Sequence, residues 1–139
     1  MSLAICPGSF DPITLGHLNI IRRASKIFDK VVVCIMVNSS KTKPMFSIEE
    51  RVDMVRKVVE RFPNVEVDTN SGLLAEYAKK YDNPVVVKGM RAASDFEYEF
   101  QMNIINKKIN PELETMFLTA SEKYTFLSSS AVREMAYYG

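Results

Sequence analysis

Short β-branched runs alternate with stretches of helical periodicity along the chain, and this alternation is its strongest constraint on fold. Leu3 to Cys6 reads as a strand, His17 to Phe28 as a helix, Val31 to Val37 as a strand and Ser47 to Arg61 as a helix. In the second helix Ile48, Val52, Val55, Val59 and Phe62 share one face, and Ser47 with Glu50 forms a capping box. Val65 to Asp68, Leu73 to Tyr81, Val85 to Lys88, Asp95 to Lys107 and Thr115 to Leu118 continue the alternation, and a last helix is expected to start within Ser128 to Ser130. The strands are apolar throughout rather than at every second residue. That pattern predicts an α/β fold with a parallel sheet covered by helices on both faces.

In such a sheet, ligands bind beyond the carboxyl ends of the strands, at a switch in strand order. Four segments fall there: the turn after the first strand, Asn38 to Lys43, Lys88 to Arg91, and Tyr124 to Ser130. The first is Pro7-Gly8-Ser9-Phe10-Asp11-Pro12-Ile13-Thr14-Leu15-Gly16-His17, a strand end, a glycine-bearing turn and a helix start. The N–H groups of a first helical turn have no intrahelical partners, and the helix dipole adds roughly half a positive charge, so anionic oxygens collect there. His17, the chain's only histidine, stands at that end. Taken alone, such a histidine is a cap or a surface imidazole more often than a catalyst.

Other residues have plain structural readings. Lys41-Thr42-Lys43-Pro44 reads as a solvated turn ended by proline, Arg91 as a partner for Asp95 one helical turn later, and Glu99 as a solvated carboxylate on the same face as Asp95. Ser128, Ser129 and Ser130 read as a helix cap, and Leu73 and Leu74 as core. Cys6 and Cys34 lie in expected strands and behave as small hydrophobes; the eight methionines suggest adaptable packing. With one histidine and no paired metal-ligand spacing, no protein-held metal site is expected.

Bulk properties narrow the class further. The 139 residues fit one domain, and 18 Lys and Arg against 17 Asp and Glu leave no field to draw a nucleic acid. The longest apolar runs, such as Val31 to Val37, are too short to span a bilayer, and no charged-then-apolar leader precedes the first strand, so a cytoplasmic protein is expected.

Thr14-Leu15-Gly16-His17 resembles the T-x-G-H signature of the nucleotidylyltransferase superfamily. Two further segments, Lys88-Gly89-Met90-Arg91-Ala92-Ala93-Ser94-Asp95-Phe96-Glu97-Tyr98-Glu99 and Phe126-Leu127-Ser128-Ser129-Ser130-Ala131-Val132-Arg133-Glu134, make the whole chain similar to the bacterial phosphopantetheine adenylyltransferase family. A lone T-x-G-H is weak evidence; three ordered segments at the family's spacing are strong.

The resemblance implies a single Rossmann-like, doubly wound nucleotidylyltransferase domain over residues 1–139, with a short helical tail missing after Gly139. It implies transfer of AMP from ATP to 4'-phosphopantetheine, giving dephospho-coenzyme A and pyrophosphate in coenzyme A biosynthesis. Mg²⁺ accompanies ATP, the assembly is a homohexamer, and coenzyme A is a feedback ligand. His17, Lys41 and Arg91 are the implied catalytic residues. ATP is expected at Ser9, Phe10, His17, Gly89, Met90, Arg91, Glu99, Tyr124, Thr125, Phe126, Leu127, Ser128, Ser129 and Ser130. The acceptor is expected at Ser9, Lys41, Leu73, Leu74, Lys88, Tyr98, Asn106 and Glu134. Lys88 departs from the family's usual arginine and lacks its planar fork. The competing readings are a nicotinate or nicotinamide mononucleotide adenylyltransferase and a nucleotide-binding regulatory domain without turnover.

Overall fold

The computed structural model describes residues 1–37, 44–90 and 93–119. The chain alternates β1 (Leu3–Gly8), α1 (Leu15–Ile27), β2 (Lys30–Met36), α2 (Ile48–Val59), β3 (Val65–Asn70), α3 (Leu74–Tyr77), β4 (Val85–Met90), α4 (Ala93–Ile109) and β5 (Glu114–Thr119), with a 3₁₀ turn (Ala78–Lys80) after α3. The strands form one parallel sheet in the order β3-β2-β1-β4-β5. The expected α/β class and the alternation therefore stand, while the last helix, expected from Ser128 to Ser130, lies outside the described residues.

β1, β3, β4 and β5 run a little past their expected carboxyl ends, because residues at that edge of the sheet still pair, whereas β2 begins and ends one residue earlier than the expected Val31 to Val37. Asn70, for example, is in register with Met36. Helix α1 begins two residues before the expected His17. Thr14 caps it with a hydroxyl that accepts the His17 N–H, which places Gly16 inside the first turn. Helix α2 begins as the Ser47 and Glu50 pair predicts, with both halves of the box made.

Two apolar layers sandwich the sheet. On one face Ala4, Cys6, Val31, Val33, Ile35 and Val87 pack with Ile20, Ile21 and Ala24 of α1 and Val55 and Val59 of α2. On the other, Leu3, Ile5, Val32, Cys34 and Val86 pack with Ala75, Tyr77, Ala78 and Leu113. Successive strand residues alternate between these faces, so an unbroken apolar strand is what double coverage requires. Both cysteines are buried within it. Desolvation pushes the Cys6 thiol up to about 12 and, with the Asp68 carboxylate adding to it, the Cys34 thiol up to about 11.

The site is positioned by the switch in strand order. From β1 the chain winds outward through β2 and β3, then returns to β4 on the opposite side of β1. β1 and β2 are paired through Gly8 and Ile35, but β1 and β4 are paired only at Ala4 with Val85 and Ile5 with Val86. Beyond Ile5 and Val86 the two strands leave the ladder. Their carboxyl ends, Pro7-Gly8 and Val87 to Met90, part at the reversal, and the space between them is where sheets of this kind form their ligand crevice.

Gly89 permits α1 to sit on this edge. A Cβ there would stand 2.9 Å from Cγ1 and 3.1 Å from Cδ1 of Ile20. Gly89→Ala therefore has to push α1 off β4, and a loss of about 1–3 kcal/mol is expected from overpacking. Denaturant unfolding of the variant should show the transition at lower concentration with an unchanged slope; a midpoint equal to the parent's would mean that Ile20 gives way without cost.

Candidate active site

The turn from β1 to α1 is built around Phe10. Its φ of 48° lies in the left-handed region, uncommon for a residue with a Cβ, while its ring is only 3% exposed. The ring lies over Gly8, where a Cβ would come within 3.1 Å of it. It also meets the His17 imidazole edge-on, with centroids 4.9 Å apart. Ser9 remains exposed at the crest of the turn.

His17 is the third residue of α1, and its side chain completes the cap. The Thr14 N–H donates to His17 Nδ1 at 3.0 Å, while the His17 N–H donates to Thr14 Oγ1 at 3.3 Å. A ring nitrogen that accepts a backbone N–H carries no proton. The hydrogen-bond network thus places the neutral ring's proton on Nε2, which becomes a donor held by the cap. The cap and catalyst readings of this histidine are compatible, because each uses a different nitrogen. No acidic residue occupies the first turn of α1 itself, where it would offset the positive end of the helix.

Lys88, Gly89 and Met90 close the other side of the crevice. Gly89 faces α1, so Lys88 faces the opposite layer. There its Nζ donates to Glu99 Oε2 at 2.7 Å, with both side chains 22% exposed. Two residues expected to touch different substrates are therefore ion-paired with each other. Asn106 lies seven residues beyond Glu99 on the same face of α4 and is buried.

The expected apolar wall divides. Leu73 is 62% exposed at the start of α3, whereas Leu74 packs partly into the core of that face. Tyr98 is 64% exposed on α4. A polar anchor holds the α3 segment: the Tyr77 hydroxyl donates to Asp68 Oδ2 at 2.6 Å, and Lys80 Nζ donates to the same oxygen at 3.0 Å. Lys41, Arg91, Tyr124, Thr125, Phe126, Leu127, Ser128, Ser129, Ser130 and Glu134 lie outside the described residues, as does any Arg91 pairing with Asp95.

Two contributors to the turn were not singled out from the sequence. Asp11 is buried, and its carboxylate accepts the N–H groups of Met45 and Phe46, each at 2.9 Å. Arg51 is buried in α2 and donates from Nη1 to the Ser9 carbonyl at 3.0 Å. A signal for Arg51 was present. It falls between Ile48 and Val55 on the apolar face of α2, where a solvated arginine has no place. Asp11 carries no comparable signal, since its partners are backbone groups more than thirty residues away.

Among the described residues, no group of three or more His, Cys, Asp or Glu is placed to hold a metal ion. No described helix is long and apolar enough to cross a membrane. The described residues at the strand switch offer several groups suited to an anion. They combine turn N–H groups, an oriented imidazole donor and a lysine.

The Cytidylyltransferase-like family model matches residues 5–135. The chain is 53% identical over its full length to the phosphopantetheine adenylyltransferase of Caldanaerobacter subterraneus subsp. tengcongensis and 55% identical to that of Clostridium tetani, covering 86% of each. Among solved structures it is similar in fold to a bifunctional NMN adenylyltransferase/ADP ribose pyrophosphatase from Francisella tularensis, complexed with AMP and a Mn ion. The TM-score is 0.69 at 18% identity, over 99% of this chain and 42% of that one.

The reciprocal cap makes a stability prediction separable from function. Thr14→Ala removes the acceptor for the His17 N–H and should lower unfolding free energy by about 1 kcal/mol. Thermal denaturation checks it; an unchanged midpoint would show that the Thr14 hydroxyl does not support α1.

Proposed function

From the premise that this chain belongs to the cytidylyltransferase-like family and, within it, to the phosphopantetheine adenylyltransferases, we propose that it transfers AMP from ATP to 4'-phosphopantetheine, yielding dephospho-coenzyme A and pyrophosphate. The observation that carries this reading is identity above half over the entire chain to enzymes of that name. The structural neighbour that acts on NMN shares the fold at 18% identity, which argues for architecture and not for its acceptor.

An oxygen of the acceptor phosphate attacks the α-phosphorus of ATP, the bond from that phosphorus to the bridging oxygen breaks, and pyrophosphate leaves in line. The nucleophile is already an anion, so the protein has no proton to remove and supplies no covalent intermediate. Its task is to align two polyanions and offset their charge. The Nε2–H of His17, whose tautomer the Thr14 cap favours, is suited to an α-phosphate oxygen as charge grows in the transition state. The Ser9 and Phe10 turn supplies N–H donors to the phosphates. Lys88 supplies a cation to the acceptor phosphate, with Lys41 beside it, and Arg91 one to the ATP phosphates.

Gly89, Met90, Glu99 and the segment Tyr124 to Ser130 complete the ATP side. Leu73, Leu74, Tyr98, Asn106 and Glu134 line the pantetheine arm, and the exposure of Leu73 and Tyr98 supports such a wall. Mg²⁺ is proposed to enter with ATP, where it would be held by phosphate oxygens and water and add charge neutralisation.

A cytoplasmic homohexamer with coenzyme A as a competing ligand completes the proposal. Phe96, Phe100, Ile104 and Ile105 leave an exposed apolar strip along α4, which supports self-association.

The deciding assay couples pyrophosphate release to a colour change. ATP, Mg²⁺ and 4'-phosphopantetheine should give turnover, and nicotinate mononucleotide in place of the acceptor should give none; the reverse pattern would sink the reading. His17→Ala should lower kcat by about 10²–10³ while leaving ATP affinity near that of the parent, because the imidazole acts mainly on transition-state charge. A variant with normal kcat and raised KM would make His17 a ground-state binding group.

A further inference from the structure

We propose that Arg51 is a positioning residue: from beneath the turn after β1 it fixes the Ser9–Phe10 peptide so that the Phe10 N–H faces the substrate phosphates. The inference rests on the adenylyl-transfer reading for the identity of those phosphates, and on the following geometry for the rest.

Arg51 is 5% exposed and lies on the apolar face of α2, between Ile48 and Val55. A guanidinium taken out of water is costly, and the usual remedy is a carboxylate. None lies within ion-pair distance of Arg51 among the described residues, and its Nε has no hydrogen-bond partner. Among the described residues the guanidinium's one hydrogen bond runs from Nη1 to the Ser9 carbonyl. A methionine would fill the same space at less cost, so packing does not account for an arginine here.

The carbonyl it holds accounts for it. The Ser9–Phe10 peptide is trans and planar, so its C=O and N–H point to opposite sides. With the Ser9 oxygen drawn down onto Arg51, the Phe10 N–H must point away from α2. That N–H donates to no protein group among the described residues. Phe10 also sits at φ 48°, a conformation that persists only when its surroundings determine it. Gly8 and the buried ring fix it on one side and Arg51 on the other. The Asp11 carboxylate ties the same turn to Met45 and Phe46, just ahead of α2. The helix and the turn therefore move as one piece. The guanidinium's charge also stands under the place where phosphate charge would gather.

The test uses the full-length, ¹⁵N-labelled protein with inorganic pyrophosphate as probe. In the parent, pyrophosphate should move the Phe10 amide proton downfield. In Arg51→Met that shift should be lost, pyrophosphate affinity by calorimetry should fall about ten- to a hundredfold, and kcat/KM for pyrophosphate release should fall in step. Arg51→Lys, which keeps the charge and a donor, should recover most of the affinity. A folded Arg51→Met variant that binds and turns over like the parent would overturn the inference. So would a parent Phe10 amide that pyrophosphate leaves unmoved, which decides the matter even if Arg51→Met does not fold. Failure of the activity reading looks different. The parent would release no pyrophosphate from ATP and 4'-phosphopantetheine while the Phe10 and Arg51 responses persist.

Discussion

The parting of β1 from β4 is the constraint on which the remaining structure depends. Had the ladder continued past Ile5 and Val86, the backbone groups of Gly8 and Gly89 would face each other across paired strands and the turn after β1 would have no room. The reversal of strand order separates them. The crossover from β1 to β2 carries α1 over one face, while the segment after β4 carries α4 over the other. The crevice between them receives the start of α1 from one side and Lys88 from the other. Its floor is backbone, which can be lined with donors without burying an unpaired side chain.

Much of this was legible because the sheet is covered twice. Val31 to Val37 and Val85 to Lys88 are read as strands from their apolar runs, and two-sided burial is what allows strands without alternation. The Ser47 and Glu50 cap was equally plain, since its partners are three residues apart. Legibility fails where partners are distant. Lys88 and Glu99 were each identified as site residues, but their ion pair depends on how α4 folds back over β4, which neither residue's neighbours encode. Asp11 is illegible for the same reason, its partners lying more than 30 positions away, while the place of Arg51 on the apolar face of α2 signals its burial but not its partner 42 positions away. Helix α1 starts two residues ahead of the expected His17, because the Thr14 and His17 cap outweighs the poor helix preference of Gly16.

The Lys88 and Glu99 pair changes what the substitution of lysine for the family's arginine means. An arginine there would offer a planar fork whose direction is set by the guanidinium itself; a lysine's ammonium sits on a flexible stem and needs a neighbour to place it. Glu99, at 2.7 Å, is that neighbour. One of the three ammonium protons is engaged by the carboxylate, and the other two remain for a phosphate. In the proposed transfer the arriving dianion has a greater claim on the ammonium than a single carboxylate does, so it can join the pair without first breaking it. Glu99 also holds the crevice closer to neutral before substrate arrives, which spares the sheet edge an isolated, half-buried cation. The strength of an acceptor clamp built this way depends on where α4 sits, because α4 carries the carboxylate that aims it. Under the proposed transfer, packing of that helix against β4 and β5 is thereby part of what builds the acceptor site.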